Sequence, residues 1–246
     1  MMRRTDIRRG VRTFGLLIAA AVLCAAQTVA QEKSSNRPVE PQRETTITRD
    51  MLAPQTYAEI LKRRGLTQKD SDMQAVFPKT ATGAALARVA TLVPYGLRQD
   101  DVPEARQMAL DLALVRAAPE MALTDLQSGF RNLPEKYWAE RQFLIQVAAH
   151  LTVPAAAVVG FLTAEMSRTA KISTGNPGNL AYLSPVTAAD TLLRVVSDSA
   201  ERDRAFRQAV RAQPDRSAGR LVLSRYELVD AARARNLATE LDLSRK

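Results

Sequence analysis

An all-α fold, many helices in a single domain, is what this sequence predicts, and three observations predict it. Aromatic residues make up 5% of the chain while Ala, Leu and Arg are abundant, a balance that favours helices because these side chains lose little rotamer freedom there. After residue 80, apolar residues recur at helical spacing between short turn-forming clusters. The stretch from Val153 to Ala164, VPAAAVVGFLTA, has Thr163 as its one polar side chain. It is too short to span a bilayer, and it reads as a helix buried on every side, the axis on which the others pack.

Taken in order, the chain divides into a signal peptide (1–30), a flexible linker (31–48) and one all-helical domain (49–246). The first thirty residues carry Arg3, Arg4, Arg8, Arg9 and Arg12, then an apolar run from Phe14 to Ala26, then Thr28-Val29-Ala30 ahead of Gln31. That order is the signature of secretion, with small residues at the cleavage site and a second candidate site at Cys24-Ala25-Ala26. A mitochondrial-type presequence and an uncleaved anchor are the competing readings. Leu23 before Cys24 argues against lipidation, and Gly10-Val11-Arg12 departs from the twin-arginine pattern. Either cleavage removes Cys24, the one cysteine of the chain, and with it disulfides, thiol catalysis and cysteine metal sites.

The net charge is +9, and the five arginines and one aspartate of the leader account for +4 of it. The +5 that remains does not by itself point to nucleic acid. The linker QEKSSNRPVEPQRETTIT has too few apolar residues to offset the entropy of ordering.

A short amphipathic helix is expected from Thr56 to Arg64, with Tyr57, Ile60 and Leu61 on one face, three cations at its end and Gly65 as its stop. LTQKDSDMQ then reads as a polar loop. Helices follow at about 81–93, 103–116 and 119–131, punctuated by Pro94-Tyr95-Gly96, Ala118-Pro119 and Leu133-Pro134. The clearest amphipathic helix spans 135–151, with Tyr137, Leu144 and Leu151 at heptad spacing and Gln142, Gln146 and His150 opposite them. Thr152 and Pro154 turn it into the apolar segment. KISTGNPGNLAYLSP (171–185) is a long loop of the kind that carries binding residues. Thr187 caps a helix to about Ser197, Ser199 caps another to Ala212, and a last long helix runs to about Asn236 with Val222, Tyr226 and Val229 inside.

Gly96 aligns with Gly129, Arg106-Gln107 with Arg141-Gln142, and Ala200-Glu201-Arg202 repeats Ala139-Glu140-Arg141. Spacings near 33–35 residues resemble HEAT-type helical-pair repeats, a resemblance that would cover 81–235 and imply a solenoid. A compact irregular bundle is the other arrangement open to such a sequence.

His150 is the one histidine, so a zinc site would need carboxylates, and no nucleophile turn such as G-x-S-x-G accompanies it. Its simplest role is on the polar stripe near a helix C-terminus. Glu165 could act as a general acid if enclosed, but an ion pair with Arg168 or Lys171 explains it more simply. Glu201 and Asp203 stand where they neutralise Arg204 and Arg207, leaving Arg202, Arg211, Arg216 and Arg220 without an evident local partner. Trp138 and Tyr137 diverge by about 100° on a helix, so they cannot both point inward: either one is an exposed interface anchor, or one is core and the other lies at its edge.

The binding residues expected are therefore Trp138, Asn176, Asn179, Tyr182, Arg211 and Arg220. No cofactor, metal or nucleic acid is expected, and no membrane span after leader removal. The function expected is an exported, periplasmic or secreted helical binding or adaptor protein of the cell envelope with a protein partner. The alternatives are a periplasmic hydrolase or lyase using Glu165 or His150, and binding of an anionic envelope polymer by the C-terminal arginines.

Overall fold

The computed structural model describes residues 55–93, 102–168, 180, 182–213 and 216–243. Eleven α-helices follow one another among them: α1 (Tyr57–Arg64), α2 (Thr67–Val76), α3 (Ala81–Leu92), α4 (Val102–Ala117), α5 (Pro119–Asn132), α6 (Trp138–Ala149), α7 (Ala155–Met166), α8 (Leu183–Val195), α9 (Ser199–Ala212), α10 (Arg216–Glu227) and α11 (Ala231–Glu240). A 3-10 turn at Glu135–Tyr137 leads into α6, and there is no strand among the described residues. The fold is all-α. The leader, the linker, the turn at 94–96 and residues 244–246 lie outside the described residues.

Local chemistry sets the helix ends. Thr56 and Glu59 form a reciprocal capping box at α1, and Gly65 closes that helix at φ +64°, a left-handed conformation that glycine adopts without Cβ strain. Thr80 caps α3 by accepting the Gly83 N–H. Pro119 opens α5, where no N–H is needed. Asp198, rather than Ser199, caps α9 through the Ala200 N–H, and Asp230 caps α11 through that of Arg233.

The core is not centred on the most apolar stretch. α7 buries Val158, Phe161, Leu162 and Met166 but leaves Ala155, Ala156, Gly160 and Ala164 exposed. Its alanines and glycine make the sequence look uniformly apolar, yet they carry little volume, and only one face packs. The buried axis is α3, in which every residue except Ala81, Ala84 and Arg88 is buried. It packs against α2, α4, α5 and α6.

From α6 onward the order changes to two parallel rows, α6, α8 and α10 in one and α7, α9 and α11 in the other, each helix contacting its neighbours in both rows. Substantial contacts reach no further than three helices along the chain. This nearest-neighbour packing is the pattern of stacked helix pairs.

Three further expectations are corrected. The polar segment after Gly65 is helix α2, held by one fully buried residue, Met73, and by polar ties: Asp70 accepts the Tyr57 hydroxyl, while Lys69 meets Glu140 at 2.5 Å and the Val93 carbonyl at 2.5 Å. Such a helix shows no apolar period. α8 starts at Leu183, four residues before Thr187, with Pro185 in its first turn. The long C-terminal helix is two helices, broken at Leu228–Asp230, so Val222 and Tyr226 are buried but Val229 is exposed.

These placements are testable by denaturant titration. Leu86→Ala in the fully buried α3 should cost about 2–5 kcal/mol through lost burial and a residual cavity. Gly160→Ala should stabilise by roughly 0.5–1 kcal/mol, because a Cβ there meets nothing within 4 Å. Gly129→Ala should destabilise, since its Cβ would lie 2.5 Å from the Phe77 ring.

Candidate functional site

The rows α6–α8–α10 and α7–α9–α11 have two ends, and polar contacts fix which residues share each. At one end Glu165 of α7 accepts Arg141 of α6 at 3.0 Å and the Ser184 hydroxyl of α8 at 3.4 Å. Arg141 also donates to the carbonyls of Phe130 (2.9 Å) and Leu133 (2.7 Å), the open end of α5, and its guanidinium lies 4.7 Å from the Phe130 ring centroid. Arg168 reaches the same Phe130 carbonyl at 3.2 Å. Gln213, at the end of α9, donates to the carbonyls of Met166 and Arg168.

This end gathers the N-termini of α6 and α8 and the C-termini of α7 and α9. Trp138 opens α6 and Tyr182 directly precedes α8, both half-buried. Arg211 lies near the end of α9 and meets Glu240 at 3.4 Å; Arg220, in the first half of α10, donates to the Leu243 carbonyl at 2.6 and 2.8 Å. Four of the six expected binding residues thus stand at one end of the stack. Asn176 and Asn179 lie outside the described residues.

The electrostatics there are structural. Burial pushes the Glu165 carboxyl above its ordinary range, and Arg141 and then Arg168 pull it partly back. Burial likewise lowers the Arg141 guanidinium against the opposing pull of Glu165. Glu165 pairs with Arg141 and accepts from Ser184, while Arg168, expected as its partner, donates to the Phe130 carbonyl; Lys171 lies outside the described residues.

The opposite end carries three exposed apolar residues among paired charges. Arg202 of α9 donates to the carbonyls of Val196 (2.6 Å) and Leu193 (3.0 Å), and Tyr226 of α10 donates to Asp203 at 2.6 Å. The N-terminus of α9 therefore meets the C-termini of α8 and α10. Arg225 of α10 grips Asp190 of α8 at 2.7 and 3.0 Å, and Arg194 of α8 meets Gln146 of α6 at 2.6 Å. Val195 (43% exposed), Leu228 (73%) and Val229 (55%) project at this end. His150, at the end of α6, is exposed there as well; desolvation of its ring and then the charges of Arg194 and Arg116 hold its pKa below the usual value.

Sequence reasoning missed this apolar end. Val229 fits the inward period of a continuous helix, and only the break after Glu227 turns it outward. Leu228-Val229-Asp230, two bulky residues followed by a capping acid, is the signal that could have found it.

The arginines of the C-terminal helices are held by the fold. Between α9 and α11 lies a hollow of about 260 Å³ lined by Asp203, Arg207, Arg233, Asn236 and Glu240 among others. Inside it Arg207 binds Glu240 with two bonds of 2.7 and 2.9 Å and Arg233 meets Asp203 at 2.6 Å. Arg216 pairs with Asp242 at 2.5 Å. Among the described residues no three His, Cys, Asp or Glu side chains form a group that could hold a metal, and no helix is long and apolar enough to cross a membrane.

Comparison with known proteins finds no family, no curated protein and no solved structure that matches this chain.

Because burial outweighs the pull of the arginines at Glu165, the sign of its linkage is fixed. A carboxyl raised in the fold contributes stability present below its unfolded value, near 4.5, and lost as pH rises through the folded value. Glu165→Gln should therefore match the native chain near pH 4 and equal or exceed it at pH 7 in urea titrations. Arg141→Met should cost about 3–5 kcal/mol, because it strands a buried carboxylate and two helix-end carbonyls.

Proposed function

We propose that this chain is an exported helical binding or adaptor protein of the cell envelope, and that it holds a protein partner at the apolar end of its stacked helices. The observation that carries the reading is the exposure of Leu228, Val229 and Val195 together at the C-termini of α10 and α8. The neighbouring elements are tied together: Asp190–Arg225 joins α8 and α10, and Asp203 joins α9 to Tyr226 of α10 and Arg233 of α11. Large apolar side chains exposed to water gain by being covered by a partner. Export rests on the leader: an arginine-rich start, an apolar run and a small-residue cleavage site.

Glu165 supports a structural role. Its carboxylate joins α6, α7 and α8, and the arginine that neutralises it simultaneously closes α5. The C-terminal arginines likewise join helices, which weakens the reading of a polyanion surface.

Two measurements test the proposal. Mass spectrometry of the chain from an envelope fraction should find it starting at Gln31 or just after Ala26; a retained leader rejects export with cleavage. The double variant Leu228→Glu with Val229→Glu should lose the partners that the native chain captures from envelope extract, while its stability stays within about 0.5 kcal/mol because both positions face water. Unchanged capture by that variant rejects the apolar end as the binding surface.

A further inference from the structure

α4 is turned the opposite way from an ordinary surface helix. Its inner face carries two carboxylates, Glu104 (0% exposed) and Asp111 (1%), beside Met108 and Val115, whereas Leu110 (59%) and Leu114 (49%) face out. The orientation is enforced by charge. Arg63 and Arg64 of α1 both bind Glu104, and Arg88 of α3 binds Asp111 through Nε at 2.9 Å and Nη2 at 2.5 Å, with Gln107 adding a bond of 2.9 Å. Rolling the helix to hide its leucines would strip partners from two buried carboxylates, a cost larger than two leucines recover.

The outer face reads Arg106, Ala109, Leu110, Ala113, Leu114 and Ala117, all exposed. Large and small residues alternate along it in a way that matches the same face reversed. Two copies of α4 laid antiparallel about a twofold axis between Ala113 and Leu114 place Leu110 of each over Ala117 of the other, and Leu114 over Ala113. Laid parallel, leucine would meet leucine and alanine alanine. The charges agree with the antiparallel choice: Arg106 stands at one end of this face and exposed Glu120, beside exposed Met121 at the start of α5, just past the other, so reversing one copy brings cation toward acid. Arg116 lies about 120° round the helix from Leu110 and stays at the rim.

We infer that the outer face of α4 is a self-association surface, on which a second copy of this chain packs its own α4 antiparallel across a twofold axis. Each leucine then fills the space above an alanine, the large-into-small fit that lets helices approach closely, and the seam is isologous, so it closes at two copies. This inference rests on α4 alone and not on the apolar end of the stack.

The test uses the purified chain carrying Cys24→Ala. Sedimentation velocity over roughly 5–500 µM should show a monomer passing to a dimer, as suits a short seam at the low end of interface sizes. Leu110→Glu with Leu114→Glu should leave a monomer throughout, with a denaturation midpoint equal to that of the native chain at the dilute end of the range, where the native chain is also monomeric. Direction is read by cysteine crosslinking, which needs Cα atoms within about 7 Å. Ala113→Cys should link to itself, whereas Ala109→Cys and Ala117→Cys should each fail alone and link when mixed. A monomer at every concentration, a dimer that survives both glutamates, self-linking at position 109, or an unrelated protein recovered on this face from a monomeric chain would each overturn the inference.

Discussion

The structure depends on long polar side chains, most of them cations, that leave one helix to satisfy groups on another. Lys69 of α2 reaches the Val93 carbonyl just past α3, Arg141 of α6 closes α5, Arg202 of α9 closes α8, Gln213 closes α7, and Arg220 of α10 holds the Leu243 carbonyl beyond α11. A helix end has four carbonyls without intrahelical partners, and in a stack of short helices these ends are numerous and partly dry. Long side chains from the neighbouring helix solve this and set the spacing between neighbours at the same time. Carboxylates do the complementary work: Asp125 of α5 accepts Thr80 and Thr82 at the start of α3, and Asp203 of α9 joins α10 and α11.

This accounts for the echo between Ala139-Glu140-Arg141 and Ala200-Glu201-Arg202. Both arginines donate to a pair of carbonyls three residues apart at the end of a preceding helix, Phe130 and Leu133 in one case, Leu193 and Val196 in the other. The repeat is physical at those two sites. Arg106, the third member of the alignment, is exposed on α4 and shares only the residue type. A capping arginine needs a helix end in front of it, so its sequence signature is a position relative to a turn rather than a periodic motif, and it survives where the intervening residues differ.

The same physics decides what was legible in the sequence. Helices defined by bulky side chains on one face, such as α5 with Leu123, Leu126 and Phe130 or α10 with Val222 and Tyr226, stand out by period. α2 does not, because its inner face relies on Asp70 and Lys69; α4 is delimited by its flanking turns, but its inner face relies on Glu104 and Asp111, which no apolar period marks. An acid buried against an arginine forty residues away looks identical, in sequence, to an acid in water. The apolar run of α7 misleads in the other direction, since alanine and glycine score as hydrophobic while contributing little buried volume. At the candidate site Trp138 and Tyr182 were visible as aromatics beside turns, and the arginines as charges without i±4 partners. Their actual partners, Glu240 and the Leu243 carbonyl, belong to α11 and its end, which no local spacing could reveal.

Helices that contact mainly near neighbours in the chain gain stability pair by pair, while their buried side chains join into one continuous core from Ile60 to Leu243. Polar ties between neighbours then have a second consequence. They fix each helix's rotation as well as its position, and a helix whose rotation is fixed by ion pairs can show apolar side chains to water without rolling to hide them. α4 with its leucines and the α10–α11 corner with Leu228 and Val229 are two cases of one rule: where paired charges decide which face is buried, the exposed face is free to carry what a partner would recognise.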